Sequence, residues 1–399
     1  MNRRAFVATA AWTAASYARV LGQNNRIRLA VIGPGARGQN VMRLFQKSEQ
    51  VEVVALADIY DETLDKAKEM APRAKVFHDY KKLLEENNID AVLVAVPDHW
   101  HTPVALDVLN SGRDIYIEKP LTLAIEQGPQ IVKAARINGR IAQVGMQQRS
   151  GRHYLRAKRE YFDTKRLGKV TLVRTWWHGN TYHLRRAPAS LQTKPSTLDW
   201  AAFLGPVKWR EWDPQQYYNW RAYLDFGGGQ ITDLFTHWVD VVHMFMGEDI
   251  PTSAVAAGGV YHYKDGRTAP DTINVLLEYP GEFTVTFEAT LAPGITGAGI
   301  EFCGTAGRLE IDRDRFVFQA AGRGSPLVTV KAEDVMGERD GLTLDHVNNF
   351  LESVRTRKTP NGDVLIGHRS AQASHLGNVA YLEKRRIKFD PIREQILPL

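Results

Sequence analysis

A series of elements near the N-terminus places the strongest constraint on the fold. Residues 27–32 (IRLAVI) form a short apolar, β-branched run that is typical of a buried strand. The glycine-rich turn GPGARG follows at residues 33–38, and the next segment has apolar residues at helical spacing. A second apolar run ends at Asp58, twenty residues past Gly38. This order of strand, glycine turn, helix, strand and acid predicts a βαβ unit that binds a dinucleotide.

The residues of the turn have distinct physical roles in such a unit. Gly33 allows the tight turn, Gly35 lets a pyrophosphate approach the backbone, and Gly38 lets the helix pack closely on the strand. The helix begins beside Ala36, and its N-terminus faces the phosphates. We therefore expect these four residues to contact the cofactor.

Two side chains bear on the choice of dinucleotide. Asp58 would accept hydrogen bonds from the adenosine ribose hydroxyls and repel a 2′-phosphate, which favours NAD over NADP. Arg37, inside the turn, could instead meet such a phosphate or face solvent. The sequence therefore predicts NAD as the cofactor and leaves NADP open.

Strands and helices keep alternating after this unit. Such a series predicts a doubly wound parallel sheet, in which ligands bind at the carboxyl ends of the strands. Pro97 and the pair Glu118 and Lys119 fall at such ends, so they are candidate cofactor contacts. His101, like His99, either caps the following helix or reaches the cofactor.

The second half of the chain has a different pattern. Several segments between residues 167 and 320 have alternating apolar residues, as strands with one exposed face do. Seven of the nine tryptophans lie between residues 176 and 238. Aromatic faces stack on sugar rings, so we expect Trp177, with His178 and Arg221, to contact a carbohydrate. Each tryptophan taken alone is better explained as a core residue.

The segment GGGQITDLFTHWVD, at residues 227–240, combines three glycines with an acid and a base. Asp233 and His237 are four residues apart and therefore share one face of a predicted helix. The helix is otherwise apolar, so a polar pair on it indicates a site. The pair could form a metal site with His183, but the spacing matches no closed ligand set and no metal is predicted.

Four motifs occur together and in one order: IRLAVIGPGARG, VPDHWH, YIEKPL and the glycine-led D-x-x-x-H segment. In this combination the chain resembles the glucose–fructose oxidoreductase / inositol dehydrogenase / MocA family over roughly residues 26–385. The resemblance implies a C-terminal α/β domain with a large, mostly antiparallel sheet, whose open face commonly forms oligomers. It also implies sugar or cyclitol substrates and identifies Lys119, Asp233 and His237 as catalytic and substrate-binding residues.

These assignments lead to a hypothesis of hydride transfer. The substrate C–H donates hydride to the nicotinamide while His237, an imidazole with an unperturbed pKa near ~6.5, removes the hydroxyl proton. Asp233 would fix the substrate by a hydrogen bond, and Lys119 would stabilise the developing alkoxide. Two other functions stay open: redox-neutral cleavage of a glycoside with return of the hydride, and sugar binding without catalysis.

The composition argues against several other classes. The 51 basic residues are spread along the chain, so the net charge of +6 indicates no nucleic-acid site. No apolar run approaches the ~18 residues of a membrane span, and one cysteine, Cys303, excludes an intrachain disulfide. Paired Arg3 and Arg4 before an alanine-rich stretch resemble a twin-arginine export signal, with a disordered arm as the alternative.

The predicted organisation has three parts. Residues 1–25 form the export leader, 26–149 a Rossmann domain, and 150–399 an α/β substrate and oligomerisation domain. The leader predicts a periplasmic or exported protein that uses the twin-arginine machinery, and a cytoplasmic location is the alternative. The predicted partners are a small carbohydrate and further copies of the chain, as a dimer or tetramer.

Overall fold

A computed structural model describes residues 26–336 and 341–398, so the predicted leader at 1–25 lies outside the described residues. The strands are β1 (Ile27–Ile32), β2 (Val51–Ala57), β3 (Lys75–Phe77), β4 (Ala91–Val94), β5 (Asp114–Ile117), β6 (Ala142–Val144), β7 (Val170–His178), β8 (Ser253–Gly259), β9 (Thr272–Tyr279), β10 (Phe283–Thr290), β11 (Gly297–Gly304), β12 (Gly307–Ile311), β13 (Arg315–Ala320), β14 (Leu327–Lys331), β15 (Ile387–Asp390) and β16 (Gln395–Ile396).

The helices are α1 (Ala36–Gln46), α2 (Asp61–Met70), α3 (Tyr80–Leu84), α4 (Asp98–Asn110), α5 (Gly128–Ile137), α6 (Arg152–Ala157), α7 (Trp200–Leu204), α8 (Pro214–Tyr218), α9 (Thr236–Met246), α10 (Glu333–Met336), α11 (Gly341–Thr356) and α12 (Val364–Glu383). Two π-helical turns, Lys158–Phe162 and Ile231–Phe235, directly follow α6 and precede α9. Short 3₁₀ turns lie at Ile125–Gln127, Gln147–Ser150, Thr181–Leu184, Ala189–Leu191 and Trp220–Ala222.

The N-terminal sheet is parallel throughout, in the order β3-β2-β1-β4-β5-β6. This confirms the doubly wound Rossmann sheet, and the order is that of dinucleotide-binding folds. The crevice of such a sheet lies at the carboxyl ends of β1 and β4, where the strand order reverses. Strand β3 escapes the sequence pattern because its three residues include two exposed ones.

The second sheet has ten strands in the order β14-β13-β12-β11-β7-β10-β9-β8-β15-β16. Strands β7 and β10 are parallel, while the other paired neighbours are antiparallel, which confirms the large, mostly antiparallel sheet. The helix α9 and its π-helical turn pack on one face, where Phe235 stacks on Phe287 with ring centroids 4.8 Å apart. This buried packing fixes the helix that holds Asp233 and His237.

Helix α11 lies within the predicted second domain (residues 150–399) but packs on the first domain. Its apolar face belongs to the core of the Rossmann domain, where Phe350 makes edge-to-face contacts with Phe45 and Tyr116. The sequence pattern reveals that this helix has a buried face but not which domain covers it. The N-terminal domain is therefore completed by a helix from the far end of the chain.

Candidate active site

The glycine turn between β1 and α1 has the geometry that a dinucleotide needs. Gly33 has a φ of +78°, and a Cβ there would lie 2.9 Å from the Ala95 carbonyl. A Cβ on Gly38 would lie 2.3 Å from the carbonyl oxygen of Gly33. Gly35 is different, because apart from its own chain neighbours no described atom lies within 4 Å of the position of its Cβ. The turn is therefore closed on its inner side and open at Gly35.

The N-terminus of α1 has backbone donors to offer at this opening. Gly35 occupies the N-cap position, Ala36 begins the helix, and no described side chain caps the first turn. The first N–H groups of a helix have no intrahelical acceptor, and together with the helix dipole they favour an anion. The residues present thus fit the pyrophosphate of a dinucleotide.

Arg37 is partly exposed and pairs with a neighbouring carboxylate. Its Nε donates to Oε1 of Glu118 at 2.9 Å, and its Nη1 donates to Oδ1 of Asn40 at 2.9 Å. The pair joins the glycine turn to the segment after β5. Nη2 has no hydrogen-bond partner among the described residues, so the contact of Arg37 with a cofactor phosphate stays a prediction.

Asp58 follows β2 at the same edge of the sheet, as predicted from its spacing. Its Oδ1 accepts a hydrogen bond from the backbone N–H of Tyr60 at 3.1 Å. Burial raises the pKa of Asp58 to about 7, against the smaller lowering effect of the backbone N–H groups of Tyr60 and Ile59. A hydroxyl donor beside this carboxyl would favour its charged form.

Asp233 is the centre of a buried polar cluster where the two domains meet. Its Oδ1 accepts a hydrogen bond from the Lys119 ammonium at 2.6 Å, and its Oδ2 lies 2.9 Å from Nε2 of His183. Lys119, which follows β5, also donates to the backbone carbonyl of Asp233. Nε of Arg221 lies 3.4 Å from the same Oδ1. One carboxylate thus joins a strand end of the first domain to a helix of the second.

The charges around Asp233 decide its protonation state. Burial by itself would raise the pKa of Asp233, but the charges of Lys119 and Arg221 and the hydrogen bond with His183 hold it well below its ordinary value. The carboxylate is therefore ionised at neutral pH. Its position in a π-helical turn is common at functional sites, because the extra residue re-aims side chains at the turn.

His237 lies four residues further, buried in the first turn of α9. Its Nδ1 lies 3.1 Å from Oε1 of Gln148, so the Nδ1–H donates to the amide oxygen. Nε2 then has a free lone pair and no hydrogen-bond partner among the described residues. Burial lowers the pKa of His237 well below its ordinary value, and the charges of Lys119 and Arg313 lower it further. The imidazole is thus a neutral base.

Trp177 and Arg221 line the same region. The ring of Trp177 lies 5.9 Å from the His237 ring at an interplanar angle of 31°. The guanidinium of Arg221 lies 4.1 Å over the ring of Trp220, and its charge reaches the buried carboxyl of Asp98. The structure therefore brings two of the three predicted carbohydrate contacts to the cluster.

His178 and His101 differ from expectation. Successive side chains of a strand point to opposite faces, so His178 lies across the sheet from Trp177, with Nε2 4.0 Å from Glu288. The His101 ring is buried between two carbonyls, with Nδ1 2.5 Å from Pro120 O and Nε2 2.9 Å from Val96 O. His101 thus joins two strand ends, and neither ring nitrogen is turned toward a ligand.

Pro97 occupies the N-cap position of α4, directly after β4, so it stays at the crevice as predicted. The neighbouring His99 is buried, with Nε2 2.7 Å from the carbonyl of Phe203.

Four of the seven tryptophans between residues 176 and 238 have structural roles. Trp200, Trp212 and Trp220 pack in a separate apolar cluster, and Trp238 is fully buried.

Two contributors to the site, Gln148 and Asp98, are not identified by the sequence patterns. Gln148 and Asp98 follow β6 and β4, so the rule that ligands bind at strand ends could have found both. Asp98 is buried beside Gly227, and burial raises its pKa to about 7, while the charge of Arg221 lowers it. His183, considered from sequence only as a metal ligand, lies in the 3₁₀ turn Thr181–Leu184 and contacts the Asp233 carboxylate directly.

Within residues 26–336 and 341–398, no group of three or more His, Cys, Asp or Glu side chains is arranged to hold a metal ion. No helix in the described part of the chain is long and apolar enough to cross a membrane.

Comparisons with known proteins agree with this geometry. The model of the Gfo/Idh/MocA oxidoreductase family, NAD-binding Rossmann fold, matches residues 27–146. The model of the Gfo/Idh/MocA C-terminal domain matches residues 155–310, so the two span more than half of the chain. The α-N-acetylgalactosaminidase of Shewanella oneidensis is 33% identical over 118 residues, 27% of this chain. That match covers only 26% of the relative's length.

Solved structures extend the likeness to nearly the whole fold. An NAD binding oxidoreductase from Klebsiella pneumoniae has a TM-score of 0.72 at 17% identity, covering 91% of this chain and 99% of that one. A levoglucosan dehydrogenase in complex with NADH and levoglucosan has a TM-score of 0.72 at 16% identity, with the same coverage of 91% and 99%. The protein belongs to the Gfo/Idh/MocA family of oxidoreductases, and its N-terminal domain is an NAD-binding Rossmann fold.

Proposed function

We propose that the protein is a dehydrogenase that oxidises a CH–OH group of a sugar, glycoside or cyclitol with NAD. The bound nicotinamide would supply the hydride acceptor. The open turn at Gly35, the uncapped start of α1 and the carboxyl of Asp58 would hold the dinucleotide. NAD is preferred over NADP because Asp58 would repel a 2′-phosphate, and Arg37 is engaged by Glu118.

His237 would accept the proton of the substrate hydroxyl at Nε2. The hydrogen bond from Nδ1–H to Gln148 supports this role, because it fixes the tautomer that leaves the Nε2 lone pair exposed. The lowered pKa keeps the imidazole unprotonated at neutral pH, and its low basicity must be offset by stabilisation of the alkoxide. Lys119 is the cation placed to provide that stabilisation.

Asp233 would orient Lys119 and the substrate together. The ion pair at 2.6 Å holds the ammonium in place, and the contacts with His183 and Arg221 hold the carboxylate. Trp177 offers an aromatic face beside His237 for the C–H face of a sugar ring. Lys119 of the first domain thus acts in one buried cluster with Asp233 and His183 of the second.

The observation that supports the proposal most directly is the Lys119–Asp233 pair, one helical turn from a neutral His237, at a strand end of a dinucleotide-binding sheet. The levoglucosan dehydrogenase that shares the fold makes carbohydrate the first substrate class to test. A panel of sugars, glycosides and cyclitols should be incubated with NAD and the purified protein. Formation of NADH with at least one of them is expected, and its absence throughout the panel would contradict the proposal.

A second candidate is redox-neutral cleavage of a glycoside, in which the hydride is taken from the sugar and later returned to it. The 118-residue match to an α-N-acetylgalactosaminidase favours this alternative. The same panel separates the two, because release of the aglycone without accumulation of NADH indicates cleavage. Net NADH formation without aglycone release indicates the dehydrogenase.

Export and assembly are further parts of the proposal. Arg3 and Arg4 favour export through the twin-arginine route, and a reporter fused after residue 25 should reach the periplasm only while both arginines are present. Val255 and Leu276 are exposed apolar residues of the large sheet, which favours a homo-oligomer. Light scattering of the purified protein measures its size, and a monomer would contradict assembly.

A further inference from the structure

Arg313 is a charged side chain at the wall of the active-site cluster that the mechanism does not use. It lies in the turn between β12 and β13, and its guanidinium carbon is 4.9 Å from the ring centroid of Trp177. Trp177 in turn lies 5.9 Å from His237, and the charge of Arg313 acts on that imidazole. A residue of the second sheet thus extends the site on the side of the substrate.

Arg313 forms no ion pair with a carboxylate within residues 26–336 and 341–398. Its Nε is buried without a hydrogen-bond partner, and the charges of Asp233 and Asp314 act on it only from a distance. Three other arginines of this region, Arg37, Arg149 and Arg221, are each ion-paired with a carboxylate. Arg313 therefore differs from these neighbours in having no carboxylate in direct contact.

Arg313 is half-buried, and its fully buried Nε has lost its hydration without gaining a hydrogen bond, which costs free energy. The aromatic face of Trp177 offsets only part of this loss. A guanidinium presents a fixed fork of N–H donors that matches a carboxylate or phosphate. An oxyanion is therefore the ligand that would complement Arg313.

The phosphates of the dinucleotide have donors of their own in the first domain. They belong at Gly35 and the start of α1, where the nearby Arg37 is held by Glu118. Arg313 comes from the other domain and packs on the aromatic ring beside the proposed base. This placement assigns the anion to the substrate.

We propose that Arg313 binds an anionic substituent of the substrate, so that the protein acts on acidic sugars, such as uronates or sugar phosphates, in preference to neutral ones. This inference rests on the proposed function, since it names the substrate class of the same site. The anionic group would lie beside Trp177, and the reacting hydroxyl would lie at His237.

The test is a calorimetric titration of the full-length protein saturated with NADH, which allows binding without turnover. The probes are matched sugars: glucose, glucuronate and glucose 6-phosphate, and the same set in the galactose series. We expect an acidic member to bind at least about tenfold more tightly than its neutral counterpart. Whether the uronate or the phosphate has the advantage identifies the source of the oxyanion.

Two variants complete the test. Arg313→Met should abolish the preference for the acidic sugar and leave binding of the neutral sugar nearly unchanged. Arg315→Met is the matched control, because Arg315 begins β13 directly after the same turn, is half exposed and pairs with Asp312, so it should keep the preference. Equal binding of acidic and neutral sugars, no binding of any acidic sugar, or an equal loss of both in Arg313→Met would overturn the inference.

The outcome is separable from that of the proposed function. If acidic sugars bind through Arg313 but no substrate yields NADH, the inference holds and the dehydrogenase proposal fails. If neutral sugars are oxidised as readily as acidic ones, the dehydrogenase stands and the inference fails.

Discussion

The hydrogen bond from His237 to Gln148 can be tested by one substitution, Gln148→Leu. In the native protein the amide oxygen accepts the Nδ1–H at 3.1 Å and leaves Nε2 as the proton acceptor. Without that acceptor, a buried N–H that loses its partner costs about 1–3 kcal/mol. The ring avoids this cost by moving the proton to Nε2, which is the tautomer unable to act as the base. Since 1.4 kcal/mol is about a tenfold change, kcat should fall about 10- to 100-fold.

The assay is steady-state NADH formation with the best substrate of the panel, with kcat and KM measured separately. KM should change little, because Gln148 does not touch the sugar in this account. Gln147→Leu is the matched control, since Gln147 is also buried but its side-chain oxygen has no hydrogen-bond partner in the described chain. Gln148→Glu should restore much of kcat and raise the pKa of His237, which moves the acidic limb of the pH profile upward. An equal fall in kcat for Gln148→Leu and Gln147→Leu would show that the hydrogen bond from His237 to Gln148 does not select the active tautomer.

Three further predictions follow from the other charged groups. Lys119→Met should lower kcat by about 10²–10³-fold through loss of alkoxide stabilisation, while NADH binding measured by fluorescence persists; unchanged turnover would contradict the role. Asp58→Asn should raise the ratio of kcat/KM for NADP over NAD by about tenfold or more, and an unaltered ratio would place the ribose elsewhere. Burial raises the pKa of Asp98 to about 7, so the folded protein keeps a proton that the unfolded chain releases near pH ~4. That contribution to stability, up to about 4 kcal/mol, is fully present below about pH 4 and is lost as pH rises from there to about 7. Asp98→Asn should therefore lose less stability than the wild type between about pH 5 and 8 in urea unfolding, and parallel curves would argue against a buried proton.

The sequence could predict the architecture because its signals are local. The turn between residues 33 and 38 needs glycine for reasons visible within one βαβ unit, and the structure has those close approaches at Gly33 and Gly38. The pairing of Asp233 with His237 on one helix follows from the helical repeat. Alternating apolar residues similarly marked most strands of the second sheet.

Contacts between distant segments could not be predicted in the same way. Asp233 binds His183 from a loop 50 residues away and Lys119 from the other domain, and no periodicity encodes such partners. The sequence does not say which parity of strand β7 faces the helix, so it predicts both Trp177 and His178 as carbohydrate contacts, although the two lie on opposite faces. Arg37 likewise pairs with Glu118, 81 residues away, whereas the sequence predicts only contact with a phosphate or with solvent.

Hydride transfer at the cluster of Lys119, Asp233 and His237 can be followed with a substrate deuterated at the oxidised carbon and mass spectrometry of the nicotinamide product. We expect the wild-type protein to transfer deuterium to the nicotinamide, and His237→Ala to do so about 10²-fold or more slowly. Labelled product formed equally fast by both proteins, or none formed by the wild type, would rule out hydride transfer with His237 as the base.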